Sequence, residues 1–74
     1  MEGRIHHVAY CTAREYAKDG YKLDTYEFSE EVNNSWYSLV HDNGNRIDVH
    51  GIGKNNVVQV IKNGKLNKEI KLKK

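Results

Sequence analysis

The sequence predicts one α+β domain that is mostly β. A four-stranded antiparallel C-terminal meander is expected, covered by an N-terminal strand and a short helix, with a small, partly open barrel as the closed variant. Three observations predict it. Two Asn-Gly pairs, Asn43-Gly44 and Asn63-Gly64, each sit between apolar-polar alternating runs. Such a pair tolerates positive φ at both central positions, as a type I′ hairpin needs. A helix start signal, Thr12-Ala13-Arg14-Glu15, is followed by Gly20. All 74 residues form a single domain, residues 1–74, with no Pro and no linker.

From the N-terminus, Arg4–Tyr10 reads as a strand. Thr12 has the position of an N-cap, with Glu15 reaching back to it as a capping box. Ala13, Tyr16 and Ala17 would line one side of a helix over 12–19, which Gly20 ends. That helix has only about two turns, and such helices need tertiary support. An all-β reading, with 4–12 and 21–28 as a hairpin, competes with it. Tyr21–Phe28 alternates loosely as a strand, and Ser29–Asn34 reads as a helical turn or loop.

The meander follows. A two-residue turn at Asn43-Gly44 pairs His41 with Arg46, Val40 with Ile47 and Ser38 with Val49. One face then holds Trp36, Ser38, Val40, Ile47, Val49 and Gly51. A two-residue turn at Asn63-Gly64 pairs Ile61 with Leu66 and Val57 with Ile70. A three-residue connection, 53–55, sets Ile47 opposite Ile61. All four strands then share an apolar face, to which Val57, Ile61, Leu66, Ile70 and Leu72 contribute. A slip of one residue would send half of these to water. The other face is mostly polar: Tyr37, His41, Arg46, Asp48, His50, Val58, Val60, Lys62, Lys65, Asn67, Glu69 and Lys71.

Composition bounds the function. Hydrophobic residues are 38% and charged residues 30% of the chain. That suits a folded protein, but a chain this short buries only about 60% of its unfolded surface. The net charge of +2 does not by itself imply nucleic acid. Lysine nevertheless concentrates at the end, where Lys62, Lys65, Lys68, Lys71, Lys73 and Lys74 face one acid, Glu69. The single Cys11 has no internal disulfide partner, and the N-terminus has no apolar signal segment, so a cytoplasmic, reducing compartment is expected. The longest apolar run, the four residues Val8–Cys11, spans no membrane.

No cofactor or metal is expected. His6 and His7 would point to opposite faces of a strand. His41 and His50 would share a face roughly 13 Å apart, too far for one ion. No catalytic residue is assigned, and the chain is read as not an enzyme. Asp48, His50 and Tyr37 offer the carboxylate, imidazole and phenol that acid–base chemistry would need, but a solvent-facing polar ladder held by cross-strand pairs explains them better. Cys11 at a strand end reads as a small buried hydrophobe rather than a nucleophile.

Two binding readings remain. The first is a small accessory or inhibitor protein that contacts another protein. Five Tyr and one Trp are many large amphipathic side chains for so small a core. The competing account puts Tyr10, Tyr16, Tyr26, Phe28 and Trp36 in that core. The alternative reading is nucleic-acid binding through the polar sheet face and Lys-rich strand. The candidate binding residues for both are Tyr37, His41, Arg46, His50, Val58, Val60, Lys62, Lys65 and Lys71. A monomer is expected, with the N-terminal strand closing the free edge of strand 65–72. A homodimer through that edge is the alternative.

Overall fold

A computed structural model describes residues 2–72, with side chains from residue 4 onward. Lys73 and Lys74 of the predicted basic tail lie outside the described residues. One helix, α1 (Glu2–Lys18), precedes five strands: β1 (Lys22–Ser29), β2 (Asn34–Val40), β3 (Arg46–Ile52), β4 (Val57–Lys62) and β5 (Lys65–Lys71). The strands form one antiparallel sheet in the order β1-β2-β3-β4-β5. It is an open meander. α1 lies across one face, mainly over β2 and β3.

The predicted strand at 4–10 and the N-cap at Thr12 are both replaced by this single helix. The reason lies in its apolar stripe. Ile5, Ala9, Ala13 and Tyr16 recur at helical spacing, and the first three are buried. Thr12 is mid-helix, and its Oγ1 donates to the Val8 carbonyl at 2.8 Å, an i−4 bond that competes with capping. Glu15 instead meets Lys18 at 3.4 Å. Gly20 does end the helix. It adopts φ +97°. Gly20 N–H donates to Ala17 O at 3.2 Å and Tyr21 N–H to Tyr16 O at 3.3 Å. This is the Schellman pattern, and Tyr16 packs edge-on against Tyr21 at 5.9 Å to complete it.

Asn63-Gly64 forms the expected type I′ turn, with φ of 50° and 84° and Lys62 paired with Lys65. Asn43-Gly44 does not. Only Gly44 has positive φ, at 92°. His41 bonds to Asn45, so the loop is three residues, 42–44. The register moves by one: Leu39 pairs with Ile47, and Tyr37 with Val49. The next connection is also one residue longer than expected. It runs over 53–56, closes on Asn56 at φ 56°, and pairs Ile52 with Val57.

These slips flip β2 and β4. Leu39, Ile47, Val49, Val58 and Val60 face α1 and form the core with Ile5, Ala9 and Ala13. Trp36, Ser38 and Val40, predicted inside, share the open face with Arg46, Asp48 and His50. Val58 and Val60, predicted on the polar face, are fully buried. Ile70 and Leu72 pack against the core as expected. Ile61 and Leu66 lie on the open face, a bulge at Asn67 having broken the simple pairing of β4 with β5.

Small residues let α1 approach the sheet. A Cβ on Gly51 would stand 2.9 Å from Ser35 Oγ and 3.2 Å from the Ala9 Cβ. The predicted N-terminal strand that would close the sheet beside 65–72 does not exist, so β1 and β5 are both free edges.

Candidate interaction surface

β1 overhangs the helix. Every one of its residues is exposed, because α1 is centred on β2 and β3 and does not reach far enough to cover it. Yet β1 carries large apolar side chains on the helix side. Tyr26 pairs with Tyr37, Phe28 with Ser35 and Leu23 with Leu39, and those partners flank the helix. The helix supplies its own flank. His6, Tyr10 and Arg14, four residues apart, form a second stripe beside the buried one.

The two rows meet in an aromatic shelf. Tyr37 is its floor. Tyr26 lies 4.7 Å from it and Tyr10 lies 6.4 Å from it, between ring centroids. Arg14 reaches over Tyr10 at 5.8 Å. His6 meets Phe28 edge-on at 4.7 Å. Tyr10 is 47% exposed, Tyr26 50%, Phe28 48% and Leu23 57%. Burial pushes the Tyr37 phenol up to about 12, and the neighbouring Tyr26 and Tyr10 phenols push in the same direction. The shelf presents ring faces with hydroxyl tips beside the Arg14 guanidinium, suited to apolar contact with directed hydrogen bonds.

Its lower end is fixed by side chains. His6 shares hydrogen bonds with Ser35 Oγ at 3.1 Å and Asn33 Oδ1 at 2.6 Å. Asn33 adopts φ 56°, and its carbonyl accepts from Gly53 N–H at 3.0 Å. Beside them opens a cavity of about 560 Å³, walled by His6, Phe28, Glu30, Glu31, Val32 and Lys54.

The open sheet face differs. The Trp36 ring lies 4.2 Å from that of His50, tilted by 46°, and burial lowers the His50 pKa from 6.5. Arg46 bonds Ser38 Oγ and lies 3.5 Å from both Asp24 and Asp48. Its charge is thus occupied within the molecule.

The residues proposed from the sequence are scattered by this arrangement. Tyr37 belongs to the shelf. His41 is on the helix side, packed on Tyr21 at 5.0 Å. Arg46 and His50 are on the open face. Val58 and Val60 are core. Lys62, Lys65 and Lys71 are exposed along the β4–β5 edge, far across the sheet from Tyr37. The sequence reading missed Tyr10, Leu23, Tyr26 and Phe28 as surface residues. The signal was present: a helix with Ile5, Ala9 and Ala13 inward must turn His6, Tyr10 and Arg14 sideways.

Cys11 is exposed on the helix rather than buried at a strand end, with its Sγ 3.6 Å from His7 Nε2. Among the described residues no three His, Cys, Asp or Glu side chains are grouped to hold a metal ion. Nor is any described helix long and apolar enough to cross a membrane. No protein-family model, curated protein or solved structure matches this chain.

Proposed function

We propose that this chain is a non-enzymatic module that binds another protein through the aromatic shelf, acting in the cytoplasm as an accessory or inhibitory factor of a larger assembly. One observation carries the reading. Four large apolar side chains, Tyr10, Leu23, Tyr26 and Phe28, are each about half exposed on the helix side of the sheet, with Tyr10 and Tyr26 beside the half-buried Tyr37 ring. Contiguous exposed apolar surface on a small protein marks an interaction site, and Tyr-rich surfaces anchor such contacts at low entropic cost. The module works as a monomer. Both free edges are irregular, with bulges at Asp24 in β1 and Asn67 in β5, and lysines line β5. Such features discourage strand-to-strand association.

The test is affinity capture from the native host with the intact protein and with Tyr10→Ser/Tyr26→Ser. A partner retained by the first and lost by the second, with both folded, is expected. Turnover of a metabolite by the isolated chain, or a partner indifferent to both substitutions, would overturn the reading.

A second reading rests on a separate feature. Among the described residues, Lys62, Lys65, Lys68 and Lys71 project from the β4–β5 edge without a carboxylate partner within 4.0 Å, and Glu69 is bonded to Gln59 at 3.0 Å. Such an edge suits a phosphate backbone. Binding to single-stranded oligonucleotides would then fall with salt, by about 0.7 in log K per log[salt] for each phosphate neutralised. Replacing Lys62, Lys65 and Lys71 with Gln would flatten that slope. Absence of binding at low salt discards this reading.

A further inference from the structure

Charge is distributed unevenly between the two edges of the sheet. The segment 22–31 holds one lysine and four carboxylates, Asp24, Glu27, Glu30 and Glu31. The segment 62–71 holds four lysines and one carboxylate. Asp24 and Glu27 belong to the open-face side, where Asp24 meets Arg46 at 3.5 Å. Glu30 and Glu31 remain at the lower end of the shelf, so a partner seated there meets their field.

The shelf also continues into the cavity of about 560 Å³ at its lower end. Phe28 belongs to both. The cavity has an apolar wall, Phe28 and Val32, and two carboxylates at its rim, Glu30 and Glu31, against one cation, Lys54. That combination fits a long basic side chain. The stem of Arg or Lys lies along apolar surface while its head stays among polar groups. The arginine already in the shelf, Arg14, is at the opposite end, over Tyr10.

Resting on the protein-binding reading above, we infer that the partner presents a basic apolar segment: aromatic or aliphatic residues on Tyr10, Tyr26 and Phe28, followed by an Arg or Lys in the cavity beside Glu30 and Glu31. A second copy of this chain is the poorer occupant through the same face. It would bring Glu30 and Glu31 of one copy toward the same carboxylates of the other, and like charges across an interface are unfavourable.

The experiment is selection of a displayed library of random dodecapeptides on the intact protein. The winning peptides are then measured on Glu30→Gln/Glu31→Gln and on Tyr26→Ser/Phe28→Ser, each checked for folding by circular dichroism. Enriched sequences should carry Arg or Lys beside aromatic or aliphatic residues. Their affinity should drop roughly five- to tenfold on the Gln pair, as for one or two partly exposed ion pairs, and be lost on the Ser pair. Peptides that need Tyr26 and Phe28 but show no basic preference, and ignore the Gln pair, would overturn this inference while leaving protein binding through the shelf intact. No enrichment, or binding indifferent to the Ser pair, would overturn both. A concentration-dependent dimer abolished by Tyr26→Ser/Phe28→Ser would replace the basic segment with a second copy, which also refutes it.

Discussion

Gly51→Ala should destabilise this protein although alanine is the better residue for an ordinary strand. Gly51 lies in β3 under the helix, without positive φ. The backbone therefore favours alanine there by about 0.5–1 kcal/mol, through reduced freedom of the unfolded chain. Packing opposes this. The new methyl would stand 2.9 Å from Ser35 Oγ, 3.2 Å from Ala9 Cβ and 3.5 Å from the Ile5 carbonyl. Ser35 would have to turn away from His6, giving up a hydrogen bond of about 1 kcal/mol. Ala9 belongs to a helix and moves only if α1 lifts, an overpacking cost of about 1–3 kcal/mol. Packing wins, with a net loss of about 1–3 kcal/mol. Urea unfolding at neutral pH measures it, and the melting temperature should fall by roughly 4–8 °C per kcal/mol in a domain of this size. A double-mutant cycle with Ser35→Ala separates the two obstacles, because Ser35→Ala removes one and leaves Ala9. Unchanged or increased stability in Gly51→Ala would show that the helix is not seated as closely as described.

Three further outcomes follow from the geometry. Tyr37 holds its proton to about pH 12 in the folded state against 10.0 when free; the unfolded chain ionises first, so its contribution to stability is complete below pH 10 and lost as pH rises toward 12. Tyr37→Phe should remove the last step of the phenolate absorbance titration and flatten alkaline destabilisation. His50 has a folded pKa below 6.5 because burial under Trp36 disfavours its charge; the unfolded chain then takes up the proton more readily, so stability falls as pH drops below 6.5, and denaturant curves for His50→Gln should show a shallower acid decline. Gly64→Ala, at φ +84° with nothing within 4 Å of the added methyl, isolates backbone strain, and thermal melts should show a loss of about 1–2 kcal/mol.

Much of the sheet is legible in the sequence. Asn63-Gly64 needs two left-handed residues in succession, and few other pairs tolerate that, so the β4–β5 turn was readable. Gly20 was legible as a helix end for the same reason. Asn43-Gly44 was read as the same turn and is not. Its glycine closes a three-residue loop, in which His41 caps Asn43 N–H at 3.1 Å through Nδ1 and Asn43 Oδ1 accepts from Asn45 N–H at 2.9 Å. Both turns are compatible with the dipeptide alone, and one residue of loop length exchanges the two faces of β2. The candidate site inherits that error: the expected register sets Tyr37 among Arg46 and His50, from which the sheet separates it, and gives no reason to bring Tyr10 and Tyr26 beside it.

The sequence by itself determined a small antiparallel meander of alternating strands, the helix stop at Gly20 and the uneven placement of lysine, because each depends on local backbone freedom or composition. Tertiary structure decided the rest. Arg4–Tyr10 has residues that suit a strand, and it became helix because Ile5, Ala9 and Ala13 fill the space over Val49, Val58 and Val60 only at helical spacing. The same choice set the width of cover. One helix closes over three strands, so β1 is left outside, and its Tyr26 and Phe28 remain in water as a surface that alternation alone would have assigned to the core.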